Sequence, residues 1–94
     1  GPAFADDQGK SDTMPFDFNF FYAADELESA PKAEKMLKRL ERKVRTHCSR
    51  DHKVTISERE REMVRVCVDE TMKISIAKFR SEAVAQAYKT RADG

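Results

Sequence analysis

The segment CSRDHKVTISEREREMVRVC, residues 48–67, begins and ends with the only two cysteines of the chain and determines how its helices are arranged. Cys48 lies on the apolar stripe of a predicted helix before it, and Cys67 lies on the apolar stripe of a predicted helix after it. The polar segment between them is long enough to turn the chain back, so the two sulfurs can meet. The pattern predicts a Cys48–Cys67 disulfide between two helices, and therefore an oxidising compartment.

Helical periodicity extends towards the N-terminus from Cys48. Ser29 is a suitable N-cap, and Pro31 falls in the first turn, where its missing N–H costs nothing. Apolar side chains then recur at spacings of three and four, as on the buried face of an amphipathic helix: Ala33, Met36, Leu37, Leu40, Val44 and Cys48.

Two further helices are predicted after the polar loop. Ser57 and Glu60 form a capping box, which begins a helix that runs to about Lys78. Its predicted buried stripe consists of Met63, Val64, Cys67, Thr71 and Ile74. Ser81 is the predicted N-cap of a short last helix with apolar contacts from Val84, Ala87 and Tyr88.

Aromatic residues alternate with other residues before the first helix, which predicts a β-strand with one aromatic face. That face holds Phe16, Phe18, Phe20 and Tyr22. The sequence offers no second convincing strand, and a lone strand leaves its backbone groups unpaired. We therefore expect a homodimer in which the aromatic strands of two chains pair. The alternative is a strand that folds back as a clip over its own helices.

Length and composition indicate one small, mostly α-helical domain. The 94 residues divide into a disordered acidic tail over 1–15, a single domain over 16–90 and a short tail over 91–94. Gly1-Pro2 is typical of a tag-removal scar, and Ala3-Phe4-Ala5 has the small-x-small pattern of a signal-peptidase site. No apolar run approaches the roughly 18 residues of a membrane span. The expected fold is a short N-terminal strand, a disulfide-tied two-helix hairpin and a short C-terminal helix.

The order of these motifs resembles the UrcA family of small exported bacterial proteins, which is named for a uranium-responsive member. The resemblance covers about residues 16–90, and its most specific element is the cysteine pair with Val68-Asp69 after the second cysteine. It implies a periplasmic or secreted helical protein with one disulfide and a role in binding or stress response. The family has no agreed enzymatic activity to carry over. Other matching positions are Phe16 to Ala23, Leu27, Met36 to Leu40, Ala77 and Val84 to Tyr88.

Two groups of side chains are candidate metal ligands. Asp25, Glu26 and Glu28 could hold a hard cation such as calcium or uranyl through carboxylate oxygens. The alternative is that these acids complement the positive end of the following helix. A zinc site would draw on His47, Cys48, Asp51, His52 and Cys67, but the spacing matches no standard zinc finger and a disulfide consumes both thiols. No cofactor is otherwise expected.

The first helix and its loop are strongly basic. Residues 32–53 carry nine lysines and arginines against three acids, a local charge of +6. This surface supports an alternative function, a nucleic-acid-binding helical protein. A solvated face is the simpler explanation, because aromatic side chains that could stack on bases lie in the separate strand. No arrangement of nucleophile, base and oxyanion donors is evident, so we expect neither an enzyme nor a nucleic-acid partner.

Overall fold

The mostly helical fold predicted from the sequence is confirmed. A computed structural model describes residues 10–15, 18–49 and 56–93. A hairpin of β1 (Lys10–Thr13) and β2 (Asn19–Tyr22) comes first, followed by a 3-10 helix (Ala24–Leu27). Three helices complete the chain: α1 (Ala30–Ser49), α2 (Glu58–Phe79) and α3 (Glu82–Asp93).

The aromatic strand has a partner within its own chain, so the prediction of a lone strand is wrong. β1 and β2 pair antiparallel, with Lys10 opposite Tyr22 and Thr13 opposite Asn19. The hairpin is closed where the N–H of Met14 donates to the carbonyl of Phe18 at 3.1 Å. Because Lys10–Thr13 reads KSDT, β1 has no apolar alternation that a sequence pattern could reveal.

The hairpin also shortens the predicted N-terminal tail. Residues 10–13 belong to β1, and Met14 is buried in the core, so these residues are ordered parts of the domain. The rest of that tail, residues 1–9 with the scar and the signal-peptidase pattern, lies outside the described residues, as do Phe16 and Asp17. At the other end, α3 runs to Asp93, so residues 91–93 are helical instead of forming a tail.

Helix α1 forms the centre of the core, as its periodicity predicts. The residues that it buries are Ala33, Met36, Leu37, Leu40 and Val44, all of them fully inaccessible to solvent. The helix begins where predicted, since the N–H of Ala33 donates to the carbonyl of Ser29 at 2.9 Å. This apolar stripe lies in one buried cluster with side chains of both other helices and of the hairpin.

Helix α2 has the predicted N-terminus but a different buried face. The Ser57 hydroxyl accepts from the N–H of Glu60 at 3.1 Å, and the Glu60 carboxylate accepts from the N–H of Ser57 at 3.0 Å, which confirms the capping box. The prediction that Met63 and Ile74 are buried is wrong, because they are 56% and 53% exposed. The residues that α2 buries are Val68, Thr71, Met72, Ser75 and Phe79.

Helix α3 follows α2 after a turn of two residues, Arg80 and Ser81. Arg80 ends α2 in the left-handed conformation with φ 50°, a position that favours glycine. Ser81 caps α3 as predicted, since its hydroxyl accepts from the N–H of Val84 at 3.2 Å. The same hydroxyl donates to the carbonyl of Leu27 at 2.5 Å, which fastens the start of α3 to the 3-10 helix.

Candidate functional site

The predicted disulfide is confirmed. Cys48, at the end of α1, joins Cys67, the tenth residue of α2, with a Cα–Cα distance of 5.9 Å and a sequence separation of 19. Both cysteines are half-buried at the edge of the core. The bond fixes the point at which α2 meets α1, so the residues of α2 before Cys67 extend past the end of α1.

The three acids after β2 lie in and directly after the 3-10 helix, where two of their carboxylates are held by cations of α1. Lys32 donates to Asp25 at 2.8 Å. This hydrogen bond lowers the pKa of the Asp25 carboxyl. A hydrogen bond from Arg39 likewise lowers the pKa of the Glu26 carboxyl. Glu28 follows as the last residue of the turn, and its N–H donates to the carbonyl of Asp25. Ion pairs with side chains of α1 thus hold two of these acids, an arrangement that differs from the helix-dipole alternative inferred from the sequence.

Arg39 joins three parts of the N-terminal half. Its guanidinium donates to both carboxylate oxygens of Glu26, at 2.5 and 3.0 Å. It also donates to the carbonyl of Phe21 at 3.2 Å and lies over the Phe20 ring, 5.5 Å from the centroid. Because the planar fork can make these contacts at once, Arg39 holds both β2 and the 3-10 helix against α1.

The candidate metal ligands do not form a cluster in this structure. Over residues 10–15, 18–49 and 56–93, no group of three or more His, Cys, Asp or Glu side chains is placed to hold a metal ion. For calcium or uranyl to use Asp25 and Glu26, the ion pairs with Lys32 and Arg39 would have to open. Of the zinc candidates, both cysteines are in the disulfide, and Asp51 and His52 lie outside the described residues.

The aromatic face of β2 packs inside its own chain. Phe20 and Tyr22 are buried, with ring centroids 6.3 and 5.0 Å from that of Phe79 in α2. Phe18 is half-buried, and its ring meets that of His47 edge-on at 4.8 Å. The aromatic strand thus folds over helices of its own chain, as in the clip alternative, but it does so as one strand of a hairpin and not as a lone strand. The homodimer was predicted from an unpaired strand, and β2 is paired with β1. A homodimer through the aromatic face of Phe16, Phe18, Phe20 and Tyr22 therefore stays an untested prediction.

The basic character of α1 is concentrated on one side. Lys35, Lys38, Arg42 and Arg45 are all exposed, and their spacing of three, four and three residues aligns them along the helix. Arg45 also donates to Glu41 at 2.8 Å, at the border of this basic stripe. A row of exposed cations of this kind can contact the phosphates of a nucleic acid, and such contacts position a protein on a duplex without specifying its sequence.

A small cleft between the three helices was not predicted. Its volume is about 180 Å³, and it is lined by Glu41, Val68, Asp69, Met72, Tyr88 and Arg91. Burial alone would raise the pKa of Glu41, but hydrogen bonds from Arg91 and Arg45 outweigh it and leave the pKa lowered. Burial and the charge of Asp69 raise the pKa of Tyr88. Sequence periodicity could not reveal this cleft because its residues come from helices up to 50 positions apart.

Comparisons with protein-family models, with curated proteins and with solved structures find no match to this chain. The resemblance to the UrcA family therefore stays a hypothesis based on the motifs quoted above. Among the helices that the structure describes, none combines the length and the apolar character needed to cross a membrane.

Proposed function

We propose that this protein is a small exported, non-enzymatic binding or stress-response module of the UrcA type, which acts in the periplasm or outside the cell. The observation that carries the proposal is the Cys48–Cys67 disulfide, which cross-links α1 and α2. Disulfides persist in oxidising compartments and are rare in the cytosol. A 94-residue domain with a small core also gains proportionally more from such a bond than a large one would.

The compartment can be tested directly. Cells that express the complete natural gene are treated with a thiol-alkylating mass tag before lysis, and the periplasmic, secreted and cytosolic fractions are separated. We expect the protein in an exported fraction, with neither cysteine labelled unless a reductant is added first. Protein that stays in the cytosol with both thiols labelled would overturn the proposal.

Metal binding is a subordinate part of this proposal. Asp25, Glu26 and Glu28 supply three carboxylates within four residues, and hard cations prefer such oxygen ligands. A cation that binds only the folded state would raise the melting temperature. The test is to compare melting curves with and without calcium or uranyl, with the triple alanine variant as control. Identical curves for the natural protein would remove the metal from the proposal.

The alternative function is a nucleic-acid-binding helical protein, and the exposed row Lys35, Lys38, Arg42 and Arg45 is the observation in its favour. Binding through this row would weaken steeply as salt rises, because counterions are released from the phosphates. Fluorescence anisotropy with a labelled duplex tests this, and replacing Lys38 and Arg42 by glutamine should reduce the salt dependence. No anisotropy change at low salt would exclude the alternative.

A further inference from the structure

The first nine residues of α2, Glu58–Val66, form a helical arm with little protein around it. None of these residues is buried; Glu60 and Val64 are half-buried, and Val64 packs against the edge of the core. The buried face of α2 begins at Val68, directly after the disulfide. Since isolated helices of this length are marginal in water, an arm with no core of its own gains stability from any surface that covers it.

The uncovered side of the arm is apolar at its centre and charged at both ends. Met63 is 56% exposed and Val66 is 39% exposed, three positions apart on the side of α2 that faces away from the core. Arg59 lies four residues before Met63, and Glu70 lies four residues after Val66, both exposed and on the same side. We call Arg59, Met63, Val66 and Glu70 the arm stripe.

We propose that the arm stripe binds the arm stripe of a second copy of this chain, with the two α2 helices antiparallel. The charge pattern selects this occupant because it is complementary to itself. A two-fold axis midway between Met63 and Val66 places Met63 against the partner's Val66, and Arg59 against the partner's Glu70, each contact occurring twice. Within the part of the chain that the structure describes, neither Arg59 nor Glu70 takes part in an ion pair, so both are available.

A second antiparallel register that also brings apolar residues together is less favourable. Moving the axis to Glu70 would bring Val66 against the partner's Ile74, but it would also place Glu70 against the partner's Glu70 at the centre. The proposed register avoids this repulsion. It also needs overlap only over residues 58–71, about 21 Å of helix, so the two domain bodies lie at opposite ends of the contact.

The contact is small, and a small contact is typical of weak, transient association. A single pair of helices that overlap over four turns buries less than the roughly 1,200 Å² of a standard interface, so the association is weak and reversible. We expect a monomer of 10.8 kDa at low micromolar concentration and twice that mass at high micromolar concentration. This inference does not depend on the compartment or on the ligand in the proposed function.

Charge reversal tests the register. Arg59→Glu and Glu70→Arg each place like charges together twice, so each variant alone should be monomeric in sedimentation equilibrium at concentrations where the natural chain is dimeric. An equimolar mixture of the two variants should dimerise again, because every facing pair is then of opposite sign. The double variant in one chain should do the same. Mixtures that remain monomeric, or single variants that dimerise normally, would overturn the proposal.

A matched pair of exposed apolar residues provides the control. Met63→Lys should abolish the dimer, whereas Ile74→Lys should leave it unchanged, because Ile74 would face position 55 of the partner, before its α2 begins at Glu58. The two side chains are similarly exposed, at 56% and 53%, so circular dichroism should show both variants folded. If both substitutions abolish the dimer, or neither does, the contact is not the one proposed.

Discussion

Opening the Cys48–Cys67 disulfide should destabilise the protein by about 3 kcal/mol. A cross-link between residues 19 apart removes loop-closure entropy from the unfolded chain, and the chain-entropy relation gives this value for a loop of that size. For a domain of this length, each kcal/mol corresponds to a change of about 4 to 8 °C in melting temperature. We therefore expect reduction to lower the melting temperature by roughly 12 to 24 °C.

The assay is thermal and urea unfolding followed by circular dichroism, with and without a phosphine reductant. Because the reduced unfolded chain is less compact, the dependence of stability on urea should also become steeper. The variant with both Cys48→Ala and Cys67→Ala is the control. Its melting temperature and its stability in urea should equal those of the reduced protein and should not change when the reductant is added. A decrease of less than about 4 °C in the natural chain would show that the cross-link hardly constrains the unfolded state, and would refute the entropic reasoning.

Three further predictions concern single side chains. Arg39→Ala should lower the free energy of unfolding in urea by about 1 to 2 kcal/mol, a value that allows for the partial exposure of the guanidinium. Arg39→Lys should restore only part of this loss, because an ammonium cannot make the forked contact with Glu26. Burial, the hydrogen bond to Asp12 and the charge of Asp12 raise the pKa of Tyr22 to about 12. The protonated phenol therefore contributes its full stability below pH 10, the ordinary pKa, and this stability is lost as the pH rises towards 12. Tyr22→Phe should thus flatten the alkaline decrease in melting temperature. The Ser75 hydroxyl is buried and has no hydrogen-bond partner among the described residues. Ser75→Ala should therefore raise the free energy of unfolding by up to about 1 kcal/mol. If calorimetry shows a clear decrease instead, the hydroxyl forms a hydrogen bond in solution.

The parts of the fold that could be predicted are those with one unambiguous local signal. Helix α1 has a single apolar stripe, and Ser57 with Glu60 forms a reciprocal cap, so both follow from local chemistry alone. Helix α2 carries apolar residues on two opposite sides, one with Met63 and one with Val68. Tertiary packing determines which of the two sides is buried. Nothing in the sequence pattern separates these residues, because both meet the requirement of helical spacing.

The candidate sites show the same limit. The disulfide was predictable because each cysteine lies on an apolar stripe, whereas the partners of Asp25 and Glu26 come from the next helix and depend on how the 3-10 helix packs. Strand β1 was missed because four polar residues carry no period, and only the facing backbone of β2 makes them a strand. Long-range pairing, not propensity, decided these features.

The order of elements along the chain determines when the protein can complete its folding. Tyr22 packs against Phe79, and Glu41 pairs with Arg91, so the fold depends on contacts between residues that are far apart in the sequence. A polypeptide that leaves a ribosome or a translocation channel from its N-terminus cannot complete this core until α3, which supplies Val84 and Ala87 to it, is free. Until then the apolar stripe of α1 is open to chaperones and to other nascent chains. The two cysteines are only 19 residues apart, so we expect oxidation to join α1 and α2 before α3 arrives.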